Sequence, residues 1–163
     1  MLIYYVHHGE RDRGPVKSQE DKLTKLGEID ATNVGKMFYD GYNKKGQLNK
    51  LKAIYTSPYY RCKRTAELIN RDLNLEIYED NQLNEHDGRY ETWEECQERV
   101  RKCLFDIVSK YDDNDIVFCV TSGVNLAAFT SLAYGLKPSK EAPFMSVSSC
   151  SIIGFNLTKK NFQ

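Results

Sequence analysis

Neither sign of charge predominates in this sequence, since lysine plus arginine and aspartate plus glutamate number 23 each. Such a balance gives no global attraction for nucleic acid or an acidic membrane. It leaves a local basic pocket open. No Cys-x-x-Cys pair occurs. The five cysteines, Cys62, Cys96, Cys103, Cys119 and Cys150, are odd in number and scattered. That pattern argues against a zinc knuckle or a disulfide framework and for free thiols in a reducing compartment. There is no long apolar run at the start, because Met1–Val6 carries no basic flank and gives way at once to His7-His8. It is too short for a signal peptide or a membrane span, so the expected location is the cytoplasm. Internal repeats, low-complexity tracts and long linkers are also lacking, so one domain over residues 1–163 is expected. No P-loop or dinucleotide fingerprint appears.

What is present suits a folded globular chain. Hydrophobic residues make up 40% and charged residues 28%, ordinary proportions for a domain that buries a core. Leu2 to Val6 reads as a buried strand. From Leu23 to Tyr42, Leu23, Leu26, Ile29, Val34, Met37 and Phe38 recur at helical spacing, with Thr24 as N-cap and Gly41 as terminator. Gly46 to Lys50 is a turn and Ala53 to Thr56 a second strand. Ser57-Pro58 opens a helix that runs to Leu73, the serine capping it and the proline at its first position. Leu75 to Tyr78 is an edge-like strand. A polar loop over 79–90 then leads to an amphipathic helix over 91–111. Ile116 to Val120 is the clearest buried strand, followed by a helix over 123–134, and 145–157 supplies closing strands. Alternating strands and helices predict a three-layer α/β domain with a mostly parallel central sheet.

In such sheets ligands bind beyond the carboxyl ends of the strands. Three places are thereby selected: His7-His8-Gly9-Glu10, Ser57 to Arg61, and Thr121-Ser122-Gly123. All three carry polar, chemically capable side chains. His8 precedes Gly9, which lets the backbone turn sharply and approach a ligand. Its imidazole can attack phosphorus, act as a base, ligate a metal or serve structure alone. Arg61, in a helix's first turn, is either an anion site or half of a surface ion pair. Glu85, in the loop with His86-Asp87-Gly88, is a proton donor or a solvated charge.

Taken in order, these segments resemble the histidine phosphatase, or phosphoglycerate mutase-like, superfamily. Leu2-Ile-Tyr-Tyr-Val-His-His-Gly-Glu10 resembles its opening strand and Arg-His-Gly-(Thr/Glu) motif. Leu23-Thr-Lys-Leu-Gly27 with Ala31 is similar to its Leu-Thr-x-x-Gly…Ala helix start. Tyr55-Thr-Ser-Pro-Tyr-Tyr-Arg-Cys-Lys-Arg-Thr-Ala66 is similar to its Ser-Pro-x-x-Arg-x-x-x-Thr-Ala segment. Leu83-Asn-Glu85…Gly88 resembles its acid loop, and Glu91-Thr-Trp-Glu…Arg99-Val100 the helix that follows. Ile116-Val-Phe-Cys-Val-Thr-Ser-Gly123 stands where the family has a strand ending in Ser-His-Gly.

The resemblance implies phosphoryl transfer through a phosphohistidine, with His8 as nucleophile, Arg61 as clamp and Glu85 as acid. It also implies that His7, Ser122, Gly9 and Gly123 line the phosphate site, with neither metal nor organic cofactor. Two positions depart from the pattern. His7 replaces an arginine and is charged only part of the time near neutrality. Ser122 replaces the second histidine and cannot carry charge. One lost donor to developing charge costs on the order of 10²–10³ in rate. A weakened phosphomonoesterase and a phosphoryl-binding pseudoenzyme therefore both stand open. Gly88 and Glu91 lie so close together that any lid over the pocket is small. Short relatives of this kind include phosphatases of phosphoproteins, so the expected partner is a phosphorylated small molecule or a phosphoprotein. A sugar-phosphate mutase, whose intermediate must be kept from water, fits less well.

Other chemistries fit worse. His86-Asp87 matches the metal pair of HD-type phosphohydrolases, but those need it on a helix. No cysteine has an arginine six positions on, as a cysteine phosphatase requires. Tyr4, Tyr5, Tyr55, Tyr59 and Tyr60 are expected to pack strands and helices rather than stack bases, since no basic stripe accompanies them.

Overall fold

The structure is a computed structural model that describes residues 1–15, 18–141 and 146–163. Five strands form one sheet: β1 (Leu2–His7), β2 (Leu51–Thr56), β3 (Glu76–Glu79), β4 (Ile116–Thr121) and β5 (Ile152–Asn156). Their spatial order is β3-β2-β4-β1-β5. The first four are mutually parallel, and β5 runs antiparallel along β1. Four helices complete the layers: α1 (Lys25–Lys44), α2 (Tyr60–Leu73), α3 (Trp93–Lys110) and α4 (Leu126–Ala133).

Alternation along the strands divides the core in two. On β1, Val6 joins one apolar cluster with Val34 and Phe38 of α1 and Cys62, Ala66 and Ile69 of α2. Ile3 and Tyr5 face the other side, among Val100, Leu104 and Ile107 of α3 and Phe129 and Leu132 of α4. Central β4 is covered on both faces, so all six of its residues are buried. This is why Ile116-Val-Phe-Cys-Val120 reads as an unbroken apolar run.

Several boundaries differ from expectation. Gly41 does not terminate α1; the helix continues to Lys44 and ends where Gly46 turns at φ 64°. There the Gly46 N–H donates to the Asn43 carbonyl and the Gln47 N–H to the Tyr42 carbonyl, a closure that needs the left-handed residue at Gly46. Thr24 does cap α1, accepting from the Gly27 N–H. Helix α2 begins at Tyr60, two positions beyond the expected first turn, and no side chain caps it. Ser57 Oγ instead donates to Asn84 Oδ1 at 2.7 Å, tying β2 to the acid loop. Helix α3 begins after Thr92, whose side chain and that of Glu95 form a capping box. The 79–90 stretch holds a short 3-10 turn, Asn81–Leu83, that buries Leu83 completely. A further 3-10 turn, Gly123–Asn125, precedes α4. Within the expected closing region 145–157, β5 supplies a strand; position 145 lies outside the described residues.

Candidate active site

Register brings the site together. His7 pairs with Thr121, and Thr56 with Val120, so β1, β4 and β2 end at one level of the sheet. The residues that follow each strand therefore converge, as the carboxyl-end rule requires. The His8 N–H donates to the Thr121 carbonyl and the Ser57 N–H to the Val120 carbonyl, extending the ladder beyond the strands.

His8 is 7% exposed. Its Nδ1 lies 2.8 Å from the Gly9 carbonyl oxygen. A carbonyl can only accept, so Nδ1 carries the proton and Nε2 presents its lone pair. Burial lowers the His8 pKa to about 3, reinforced by His7 and by the Arg61 and Arg11 guanidiniums against the opposing pull of the Gly9 carbonyl. The imidazole is thus neutral at physiological pH, the state a nucleophile requires.

Arg61 is 1% exposed and divides its donors among three partners. Its Nε–H reaches His8 Nε2 at 3.2 Å, NH1 reaches the Ser18 carbonyl at 3.1 Å, and NH2 reaches Glu85 Oε2 at 2.7 Å. The guanidinium also lies 5.0 Å from the centre of the Tyr59 ring. One side chain therefore links the β1 loop, α2 and the acid loop. The surface-pair reading of Arg61 does not survive its burial.

Gly9 is constrained by packing. A Cβ on it would come 2.8 Å from the Gly27 carbonyl oxygen, while its own N–H donates to Thr65 Oγ1 at 2.9 Å. The reciprocal limit is tighter still: a Cβ on Gly27 would stand 2.3 Å from the Glu10 carbonyl. The loop that carries His8 thus rests directly on the start of α1.

His7 and Ser122 have contrasting environments. The His7 ring lies 4.5 Å from the His8 ring, and its Nδ1 is 3.0 Å from the Ser148 carbonyl. Burial lowers its pKa, with the Ser148 and Val147 carbonyls opposing. Its Cε1–Nε2 edge faces Gly123, where a Cβ would come to 3.6 Å. Ser122 is 1% exposed, and its Oγ has no hydrogen-bond partner among the described residues.

Beside this group opens a cleft of about 250 Å³ whose wall includes Gln19, Tyr59, Arg61, Glu85, His86 and Arg89. At its mouth Arg89 forms a two-armed pair with Asp87. His86, set aside above as a metal ligand, contacts the Glu91 carbonyl and stacks edge-on against Trp93. Tyr59 was expected to pack elements together, yet it stands in the cleft wall.

Residues that were not expected to line the phosphate site also hold it in place. Asn125 Nδ2 donates to the Leu83 and Asn84 carbonyls and to Thr121 Oγ1, pinning the acid loop to the end of β4. Arg99 NH1 holds the Gln82 and Asn84 carbonyls from the other side. The one signal for Asn125 in the sequence is a polar residue opening the otherwise apolar Leu126-Ala-Ala-Phe129 stretch. Arg11, paired with Asp21, adds positive charge near His8 and stands in the same loop.

The sequence pattern of the Histidine phosphatase superfamily (branch 1) matches residues 3–91, the span from β1 through the acid loop that contains His8, Arg61 and Glu85. The chain belongs to this superfamily. Solved structures agree at the level of the fold. One is a mycobacterial glucosyl-3-phosphoglycerate phosphatase in complex with VO3, with 16% identity, TM-score 0.73, and 94% of this chain and 90% of that one covered. Another is the protein histidine phosphatase SixA complexed with tungstate, with 17% identity, TM-score 0.70, and 99% and 91% covered. A third is YhfR of Bacillus stearothermophilus, with 22% identity, TM-score 0.72, and 94% and 89% covered. At such identities the likeness is one of fold. Among curated protein sequences none matches this chain. The superfamily's mostly parallel, helix-flanked sheet is the one described above.

Proposed function

We propose that the chain is a phosphomonoesterase that works through a phosphohistidine on His8, slowed by its His7 and Ser122. The observation that carries this reading is the single buried guanidinium, Arg61, bonded at once to His8 Nε2 and to Glu85. A phosphoryl group entering from the cleft competes for the Arg61 donors, freeing the His8 lone pair and the Glu85 carboxyl group together. Glu85, released from Arg61, takes up a proton from solvent; Nε2 then bonds to phosphorus as the ester P–O bond breaks, and the electron pair leaves on the ester oxygen, which receives that proton from Glu85. Water next attacks the phosphohistidine, its proton passing to Glu85, while the N–P electron pair returns to Nε2. Arg61, with Gly9, His7, Ser122 and Gly123 around the phosphoryl group, supplies the electrostatic support, and no step calls on a metal or an organic cofactor.

The substrate is a phosphorylated small molecule or a phosphoprotein, and the absence of a long segment between Gly88 and Glu91 leaves room for a bulky one. The acting unit is one domain over 1–163, at work in the cytoplasm. A second reading, a phosphoryl-binding pseudoenzyme, is favoured by Ser122, which supplies neither charge nor a transferable proton.

Hydrolysis of a generic aryl phosphate separates the two. The phosphatase reading expects measurable turnover in the wild type, none above background in His8→Ala, and a gain in Ser122→His on the order of 10²-fold. Equal inertness of wild type and His8→Ala, with turnover appearing only in Ser122→His, establishes the pseudoenzyme.

A further inference from the structure

Resting on the reading of a phosphoryl site at His8, we infer that His7 supplies from β1 the second imidazole that position 122 lacks, its Nε2 taking up a proton when a phosphoryl group binds. The geometry that carries this is the arrangement of the ring. Nδ1 lies 3.0 Å from the Ser148 carbonyl, an acceptor only, so Nδ1 keeps its hydrogen in either charge state. Proton uptake therefore falls on Nε2, at the opposite side of the ring. That edge faces Gly123 at the end of β4, the same crossing where Ser122 stands, and the ring lies 4.5 Å from that of His8. A Cβ at position 123 would stand in van der Waals contact with that edge, 3.6 Å away, so glycine keeps this side of the ring unobstructed by residue 123.

The backbone is braced to hold this pose. The His7 N–H donates to the Ser151 carbonyl, and the Cys150 N–H is shared between the His7 and His8 carbonyls. Cys150 adopts φ 57°, unusual for a residue other than glycine, in the turn that makes those bonds. Ser122 Oγ, buried without a partner among the described residues, completes the pair as a neutral donor beside a chargeable one. The usual arginine and histidine are thus replaced by one imidazole and one hydroxyl.

The groups that face His7 are His8 on its own strand, Glu85 from the acid loop, Arg61 from α2, and the Ser148 and Val147 carbonyls. With the Arg61 guanidinium nearby and His7 only partly buried, both factors favour the neutral ring, and a doubly charged ligand pulls the balance toward the charged form. Binding of a phosphoryl dianion should then bring one proton with it onto Nε2, and product release should return it.

The chain has three histidines, so each ring proton is assignable in the NMR spectrum from single variants. The probe is sulfate, whose charge stays constant over the titration. In wild type, saturating sulfate should raise the His7 titration midpoint by at least about one pH unit, tenfold in proton affinity. His7→Asn, which keeps a donor for the Ser148 carbonyl, should weaken sulfate binding about tenfold, whereas in a Ser122→His background the same change should cost under about threefold. A purely structural His7 predicts an unmoved midpoint and equal losses in both backgrounds, and that result overturns the inference. Sulfate that binds with no change at His7 overturns it while leaving the phosphoryl site intact. Failure of the wild type to bind sulfate at all overturns the site and the inference together.

Discussion

At the scale of single residues, the neutral state of His8 bears on stability. The unfolded chain protonates this imidazole near pH 6.5, and the folded chain only near pH 3. Between these values the unfolded state binds more protons, so acidification through that window favours unfolding, and stability is fully regained only above pH 6.5. Urea unfolding from pH 7 down to pH 4 should show wild type losing roughly 3 kcal/mol more than His8→Asn, which has no group to protonate. Parallel acid limbs would show that His8 titrates normally in the fold. The cause is burial first, then the neighbouring His7, Arg61 and Arg11, none of which stands out as charge around His8 in a chain of balanced composition.

At the scale of elements, glycine distinguishes contact from exposure along one helix. A Cβ on Gly35 of α1 would come 2.2 Å from the Ile69 carbonyl of α2, so these helices meet backbone to backbone. Gly41, two turns later, meets nothing within 4 Å. Gly35→Ala should therefore destabilise by about 1–3 kcal/mol or more, whereas Gly41→Ala should stabilise by about 0.5–1 kcal/mol. Thermal unfolding of the two variants decides it, and equal effects would refute the close approach. Helix boundaries show the same division. Thr24, an N-cap, was readable because its bond to the Gly27 N–H spans three positions. Ser57 looked like a cap by the same local rule, but a partner from the acid loop, Asn84, claims its hydroxyl.

At the scale of the whole molecule, ligand binding should report on global stability, because the site exists only when three strand ends are assembled. Sulfate at a hundredfold excess over its dissociation constant should add about 2.7 kcal/mol to unfolding. Arg61→Met should abolish that gain, since Arg61 is the buried cation bonded to both His8 and Glu85. A melting temperature raised equally in both proteins would place sulfate elsewhere.

The order of strands and helices, the buried run of β4, the α1 cap and the line of motifs through His8, Arg61 and Glu85 were determined by the sequence itself. The first three rest on periodicity or on bonds within a few positions, whereas the line of motifs was legible through the resemblance to the histidine phosphatases. Tertiary structure decided the rest. Arg61 meets His8 across 53 positions, and His7 meets Ser148 across 141. Such partners are chosen by sheet register and helix packing rather than by neighbours in the chain. So too are the Asn125 clamp, the Ser122 hydroxyl without a partner among the described residues, and the edge of His7 turned toward Gly123. Local chemistry can say which groups are capable; only the folded backbone sets which of them stand within reach of one another.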